Sequence, residues 1–255
     1  CNNYQVLTGA RLFFNRKEFD VIISGYIIQA LTYSFLGMVF RSGKKLHLLN
    51  EIYLNEPSSI KRKIRPFIYR MFLKNVDYIR VSARSEISNY SMALKVPEDR
   101  FWFNPWPSFV KDPDVKNPNG NYILSAGKQF RDYATLVKAV RGTGCRLVIV
   151  SDMKSMEGIE TSQEVEVVYN ISKQEYFDLL FNSRFVVVPL QNDFGSCGQI
   201  SILEAMSYGK PVIAARVTGS KDYIEDGISG LFYEKGNYEE LRDKILLLNS
   251  NHDLR

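Results

Sequence analysis

The sequence predicts an α/β protein made of two Rossmann-like, doubly wound parallel-sheet domains. Short apolar runs rich in Val and Ile recur along the 255 residues, each followed by a segment of helical spacing. Strands alternating with helices imply a parallel sheet. The charge is also divided. Residues 1–120 hold 18 Lys+Arg against 10 Asp+Glu, a net +8, and residues 121–255 hold 15 against 18, a net −3, which together give the chain's +5. Between these halves, 110–120 is rich in Pro, Asn and charge, the composition of a loop. The expected organisation is a domain over 1–112, a linker over 113–120 and a second domain over 121–255.

In the front half the pattern predicts strands at 20–24, 45–49 and 77–82, and helices at 26–40, at 60–74 and from Ser85 onward. Residues 21–40 carry no charge, but Ser24, Gly25 and Gln29 interrupt the run. A strand, a turn and a helix in a buried layer fit it better than a membrane crossing, which needs about 20 apolar residues. The helix over 60–74 carries an apolar stripe of Ile60, Ile64, Phe67, Ile68, Met71 and Phe72. It also carries six cations, Lys61, Arg62, Lys63, Arg65, Arg70 and Lys74, with no acid between Glu56 and Asp77. Pro66 is expected to kink this helix or to move its start.

In the back half, 121–127 reads as a strand ending in Gly127, with a helix from Asp132. Strands follow at 145–151 and 165–169. Ser172, with Glu175 three residues on, opens a helix through a capping box. The stretch 185–215 then reads as a buried strand (185–190), a glycine-bearing loop, a helix with Ile200, Leu203 and Met206 on one side, a stop at Gly209-Lys210-Pro211, and a second buried strand (212–215). A strand at 230–233 and a helix from Asn237 complete the pattern.

The loops after the first and fourth of these strands carry the chemistry. Gly195 and Gly198 allow a close backbone approach, and the helix start beyond them favours an anion. Two turns into that helix, Glu204 can accept hydrogen bonds from sugar hydroxyls. Lys128 and Arg131, at a strand end, can stabilise charge growing on a departing phosphate. Phosphate at a helix start with a carboxylate nearby for a ribose is the chemistry of a nucleotide site.

The segments Leu203-Glu204-Ala205-Met206 and Gly209-Lys210-Pro211-Val212-Ile213 resemble the donor-binding motif of the family-4 retaining glycosyltransferases, which have the GT-B fold. The resemblance implies that Glu204 holds the ribose of a nucleoside diphosphate sugar. It implies that Lys128 and Arg131 bind the donor diphosphate, with the residue types exchanged relative to the family order. Lys128, Arg131 and Glu204 are thus the expected catalytic residues. Gly127, Ser196, Cys197, Gly198, Gln199, Ile200 and Ser201 line the donor site beside them, and Tyr169 and Asn170 meet the base. The family carries another Glu eight positions before the second, in contact with the transferred sugar. Ser196 stands there in this chain, and Ser196 and Asp193 are both candidates for that place. The front half lacks the family's first strand and glycine-rich loop. With Cys1 in place of an initiator Met, the chain is expected to be a fragment whose first domain is incomplete.

The resemblance implies a hexosyltransferase that needs no metal and no cofactor and acts on a glycan or lipid-linked glycan, in bacterial surface polysaccharide synthesis. Asp112 and Asp114 form an Asp-x-Asp pair within a loop, which reads as a solvated turn. The only histidines, His47 and His252, have no partners for a triad. Cys1, Cys145 and Cys197 are too scattered for a disulfide scaffold and suit a reducing compartment. A cytoplasmic enzyme is expected, with the basic helix 60–74 against the anionic inner face of a membrane. Nucleic acid is not an expected partner. Two alternatives stay open: a non-catalytic subunit that binds nucleotide sugars, and a GT-B sugar-nucleotide epimerase.

Overall fold

The alternation folds into two separate parallel sheets, one in each of two units, Cys1–Pro105 and Trp106–Arg255. A computed structural model describes residues 2–43, 45–52, 54, 60–73, 75–108 and 120–251, with residues 2 and 60–66 described by backbone alone. Residues 113–119 of the expected linker, Asp112, Asp114, His252, Lys74 and the side chains of Lys61, Arg62, Lys63 and Arg65 lie outside the described residues.

The front unit comprises α1 (Asn2–Phe14), β1 (Val21–Ser24), α2 (Ile27–Val39), β2 (Leu46–Leu49), α3 (Ile60–Leu73), β3 (Tyr78–Val81), α4 (Ser85–Leu94) and β4 (Phe101–Phe103). Helix α1 and strand β4 are additions to the sequence-based expectation. The strands lie in the order β1-β2-β3-β4, all parallel. Right-handed crossovers that step one way place their helices on one face of a sheet. The burial follows that rule. Ile22, Ser24, His47, Leu49, Ile79 and Val81 are buried, while Val21, Ile23, Leu46, Tyr78 and Trp102 of the alternate positions are exposed. Helix α3 begins at Ile60 and continues through Pro66, so the proline does not move its start. Part of its apolar stripe is open: Phe67, Ile68 and Met71 are exposed, while Phe72 meets Phe35 edge-on. Among the described residues no helix is long and apolar enough to cross a membrane.

The back unit comprises β5 (Tyr122–Ala126), α5 (Tyr133–Val140), β6 (Arg146–Ser151), β7 (Val165–Tyr169), α6 (Lys173–Asn182), β8 (Phe185–Val188), α7 (Gln199–Ser207), β9 (Val212–Ala215), β10 (Leu231–Tyr233) and α8 (Tyr238–Ser250). Its order, β10-β9-β8-β5-β6-β7, is parallel throughout. The chain winds outward from β5 to β7, returns to pair β8 on the other side of β5, and winds outward again. The crevice at the strand C-ends between β5 and β8 is therefore the topological switch point where open α/β sheets bind ligands. Strands β8 and β9 are buried at every residue, as central parallel strands covered on both faces must be. Local signals set the helix starts. Asp132 caps α5 through Thr135 N–H, Ser172 and Glu175 form the capping box of α6, and Asn237 caps α8. The buried side of α7 is Ile202 and Ala205, whereas Ile200 is exposed and Leu203 and Met206 only partly buried. The stripe expected on this helix is thus rotated toward the residues that pack on the sheet.

His47 packs into the front core. Its Nε2 lies 2.8 Å from Ser24 Oγ, and its ring meets Tyr33 edge-on. Burial pushes the imidazole down to about 4 from an ordinary 6.5, against the opposing pull of the Asp77 charge and the Asn75 backbone. A folded value below the unfolded one means that the unfolded chain binds the extra proton. The contribution is complete above pH 6.5 and is lost as pH falls toward 4. Urea unfolding between pH 7 and pH 4 should show a loss of order 3 kcal/mol that a His47→Gln variant lacks.

Candidate functional site

The site is assembled where the loop after β5 meets the loop after β8. The two loops pair: Asp132 N–H donates to Pro189 O at 2.8 Å and Gln191 N–H to Phe130 O at 3.1 Å. Gly127 opens the first loop at φ +133°. Its carbonyl accepts from Tyr133 Oη at 2.6 Å and from Ser151 Oγ at 2.9 Å, so the turn is fixed from two sides. A Cβ on Gly127 would lie 2.5 Å from the Arg131 guanidinium, which folds back over it.

Arg131 is tied at three of its five N–H groups. Nε donates to Ala126 O at 3.1 Å, Nη1 to Gln129 O at 3.0 Å and Nη2 to Ser201 Oγ at 3.0 Å. One proton on each terminal nitrogen remains for a ligand. Lys128 differs. It is exposed, and its charge helps to hold the Asp152 carboxyl low, behind the larger effect of hydrogen bonds from Ser155.

The second loop runs through Ser196 and Cys197, both buried, to Gly198 at φ +85°, the residue before α7. A Cβ at Gly198 would meet Leu190 at 2.8 Å, so the loop packs down on the sheet only with glycine there. The first-turn amides of α7 have no acceptor within the helix and begin beside Arg131 through Ser201. Gln199 is buried and Ile200 exposed; among the donor-site candidates of this turn, Ser201 joins Arg131 by its side chain.

Glu204 lies three residues after Ser201 on α7. It is half-buried, and its Oε2 accepts from Tyr176 Oη of α6 at 2.8 Å. Tyr169 is partly exposed at the end of β7, and Asn170 follows at φ +54°. They sit just before α6; no hydrogen bond among the described residues joins either to Arg131 or Glu204. Asp193 is occupied. Its carboxylate accepts from Thr218 N–H at 3.2 Å and lies 4.0 Å from Lys221 Nζ and 3.8 Å from Lys235 Nζ.

The Gly209-Lys210-Pro211 turn lies at the other end of the sheet, before β9. Lys210 is buried, donates to Ser183 O at 2.6 Å and is pushed down to about 8 by desolvation. It ties the entries of β8 and β9 together. A cavity of about 270 Å³ lined by Lys210, Pro211, Ile228 and Leu231 opens at that end, away from Arg131 and Glu204. Among the described residues no cluster of three or more His, Cys, Asp or Glu could hold a metal ion.

The residue types alone pointed to Lys128, Arg131 and Glu204. They did not point to Tyr133, Ser151, Tyr176 or Gly219. A Cβ on Gly219 would lie 2.1 Å from Cys197 O and 2.6 Å from Cys197 N, so the turn after β9 crosses directly over the α7 loop. Gly219→Ala should lower stability by about 1–3 kcal/mol and displace this loop. Gly43→Ala, with nothing within 4 Å of its Cβ, should stay close to the parent in the same urea titration.

A family model described as "Glycosyl transferases group 1" matches residues 124–251, half of the chain. An uncharacterized glycosyltransferase of Methanocaldococcus jannaschii is 31% identical over 126 residues, 47% of this chain and 35% of that protein. The capsular polysaccharide biosynthesis glycosyltransferase CapM of Staphylococcus aureus is 26% identical over 121 residues, 45% of this chain and 31% of that protein. The chain thus spans about a third of the length of these two relatives. Among solved structures, Anabaena HepE in complex with UDP and glucose superposes with a TM-score of 0.74 at 12% identity, covering 96% of this chain and 72% of that one. That likeness places the chain in the GT-B fold.

Proposed function

The chain belongs to the glycosyl transferases group 1 family, and on that premise we propose that it moves a hexose from a nucleoside diphosphate sugar to a glycan or lipid-linked glycan, with retention of the anomeric configuration and without a metal. The carrying observation is the Arg131–Ser201 link, which joins a guanidinium at the switch point to the first turn of the helix that carries Glu204. The diphosphate meets Lys128, the two remaining Arg131 protons and the first-turn amides of α7. The Glu204 carboxylate accepts a ribose hydroxyl, and the base lies against Tyr169 and Asn170. As the glycosidic bond to phosphate breaks, charge gathers on the leaving diphosphate, where the two cations stabilise it. The departing phosphate oxygen assists the acceptor hydroxyl on the same face of the sugar. The relative named for capsular polysaccharide biosynthesis supports a surface glycan as the product.

Titration of the protein with UDP, GDP and ADP tests the site. Glu204→Ala should weaken the diphosphate that binds by the equivalent of about 1.5–3 kcal/mol, the range of a charge-assisted hydrogen bond, while the variant stays folded. Lys128→Ala and Arg131→Ala should weaken the diphosphate far more than the matching nucleoside; equal losses for both would remove the phosphate role. Sugar transfer should persist in excess chelator, and a loss restored by a divalent ion would overturn the metal-free reading.

One observation favours a second reading, a nucleotide-sugar-binding subunit without catalysis. Buried Ser196 stands at the place of the family's first Glu, and Asp193 is engaged by Thr218 and two lysines. Donor hydrolysis by the purified protein supports the transferase, and donor binding without turnover supports the subunit.

The acceptor side is proposed to meet an anionic membrane surface through α3. The exposed Phe67, Ile68 and Met71 on a helix of basic sequence support it. Vesicles containing phosphatidylglycerol should bind the protein at low salt and release it at 1 M salt, where the Debye length is about 3 Å. Replacing Lys61, Arg62, Lys63 and Arg65 with Gln should reduce this binding and spare donor affinity. Equal, salt-resistant binding to neutral vesicles would contradict it.

A further inference from the structure

The strongest unassigned feature is the phenol that reaches Glu204 from a different helix. Tyr176 lies in the first part of α6, and its hydroxyl stands 2.8 Å from Glu204 Oε2. Among the described residues this is the only hydrogen bond to the Glu204 side chain. The approach is built rather than incidental. Phe177, next to Tyr176, stacks on Tyr208 with centroids 5.6 Å apart and planes 12° from parallel, and Tyr208 is one turn beyond Glu204. Two adjacent residues of α6 therefore grip Glu204 of α7 and Tyr208, the residue that ends this helix, four positions on. The start of α6 is fixed by the reciprocal Ser172–Glu175 bonds, at 2.7 and 3.2 Å. The phenol is half-buried, and burial first, then the charge of Glu204, raise it far above its ordinary value. It thus stays protonated and remains a donor at every physiological pH.

An ionised carboxylate can accept several hydrogen bonds. One acceptor direction is filled by Tyr176, which holds the carboxylate plane and leaves the remaining directions for a ligand. We propose that Tyr176 is a positioning residue for the donor, acting through Glu204 by presenting its carboxylate in a fixed orientation to the 2′- and 3′-hydroxyls of the nucleotide ribose; this rests on the ribose role of Glu204 proposed above. Without the phenol, the Glu204 side chain must be ordered by the ligand itself, and the lost rotamer freedom opposes binding.

Calorimetric titration of the whole chain tests it, using whichever of UDP, GDP and ADP binds best, with Tyr176→Phe, Glu204→Ala and the double variant. Tyr176→Phe keeps the ring and its packing, and thermal unfolding checks that it folds. It should weaken the diphosphate about tenfold. In the Glu204→Ala background it should change affinity less than twofold. Its effect should also vanish with the matching 2′,3′-dideoxynucleoside diphosphate, which has no ribose hydroxyl for Glu204 to accept. A purely structural tyrosine would weaken both ligands alike and would add to Glu204→Ala, and either result overturns the inference. If Glu204→Ala weakens binding and Tyr176→Phe does not, the inference fails and the ribose reading stands. If Glu204→Ala leaves affinity unchanged, the ribose reading itself fails.

Discussion

The guanidinium of Arg131 is the joint on which the back unit's site depends. A parallel sheet can bring two loops together at its switch point, but pairing by backbone alone leaves the helix beyond the second loop free to tilt. Arg131 removes that freedom, because one planar group bonds the end of β5 at Ala126, its own loop at Gln129 and the first turn of α7 at Ser201. Arginine suits this work because its donors are arranged in a rigid fork. The arrangement also explains Gly127: any side chain there would occupy the space of the guanidinium. The same cation that shapes the site is left with protons to offer, so under the proposed function architecture and anion recognition are coupled in one residue.

A second grip, between α6 and α7, sets the other half of the crevice. Ser201 and Glu204 stand on successive turns of one helix, the first held from the loop after β5 and the second from α6. The Gly-Lys-Pro turn that helps to identify the family lies at the far end of the sheet, where Lys210 ties the strand entries through Ser183. That motif joins strand entries of the fold, away from Arg131 and Glu204.

Much of this was legible in the sequence. The runs that became β5, β6, β8 and β9 are largely buried on both faces, so they read as short, nearly continuous apolar runs and stand out from the amphipathic helices between them. The cap residues Asp132, Ser172 and Asn237 marked helix starts because their side chains have short-range partners three residues on. Helix α1 was not legible. Its Gly9 packs so closely on α2 that a Cβ there would lie 2.7 Å from Gln29 O, a tertiary contact invisible in local spacing. Strand β4 is three residues long, too short for an alternation. On α7 the large residues Ile200, Leu203 and Met206 suggested the buried face, but close packing on the sheet selects Ile202 and Ala205. At the site, the charged residues declared themselves by type, whereas Tyr176 and Gly219 act through contacts with residues far along the chain, and no local pattern marks such contacts.

The central claim is that one anionic ligand engages the β5 loop and the start of α7 together. Amide hydrogen exchange of the whole chain, with and without the nucleoside diphosphate that binds, tests it most directly. The account predicts added protection in both 127–131 and 198–204, with the turn at 209–211 unchanged. Protection confined to 209–211 and 227–231, or absent from both loops at saturating ligand, would contradict it.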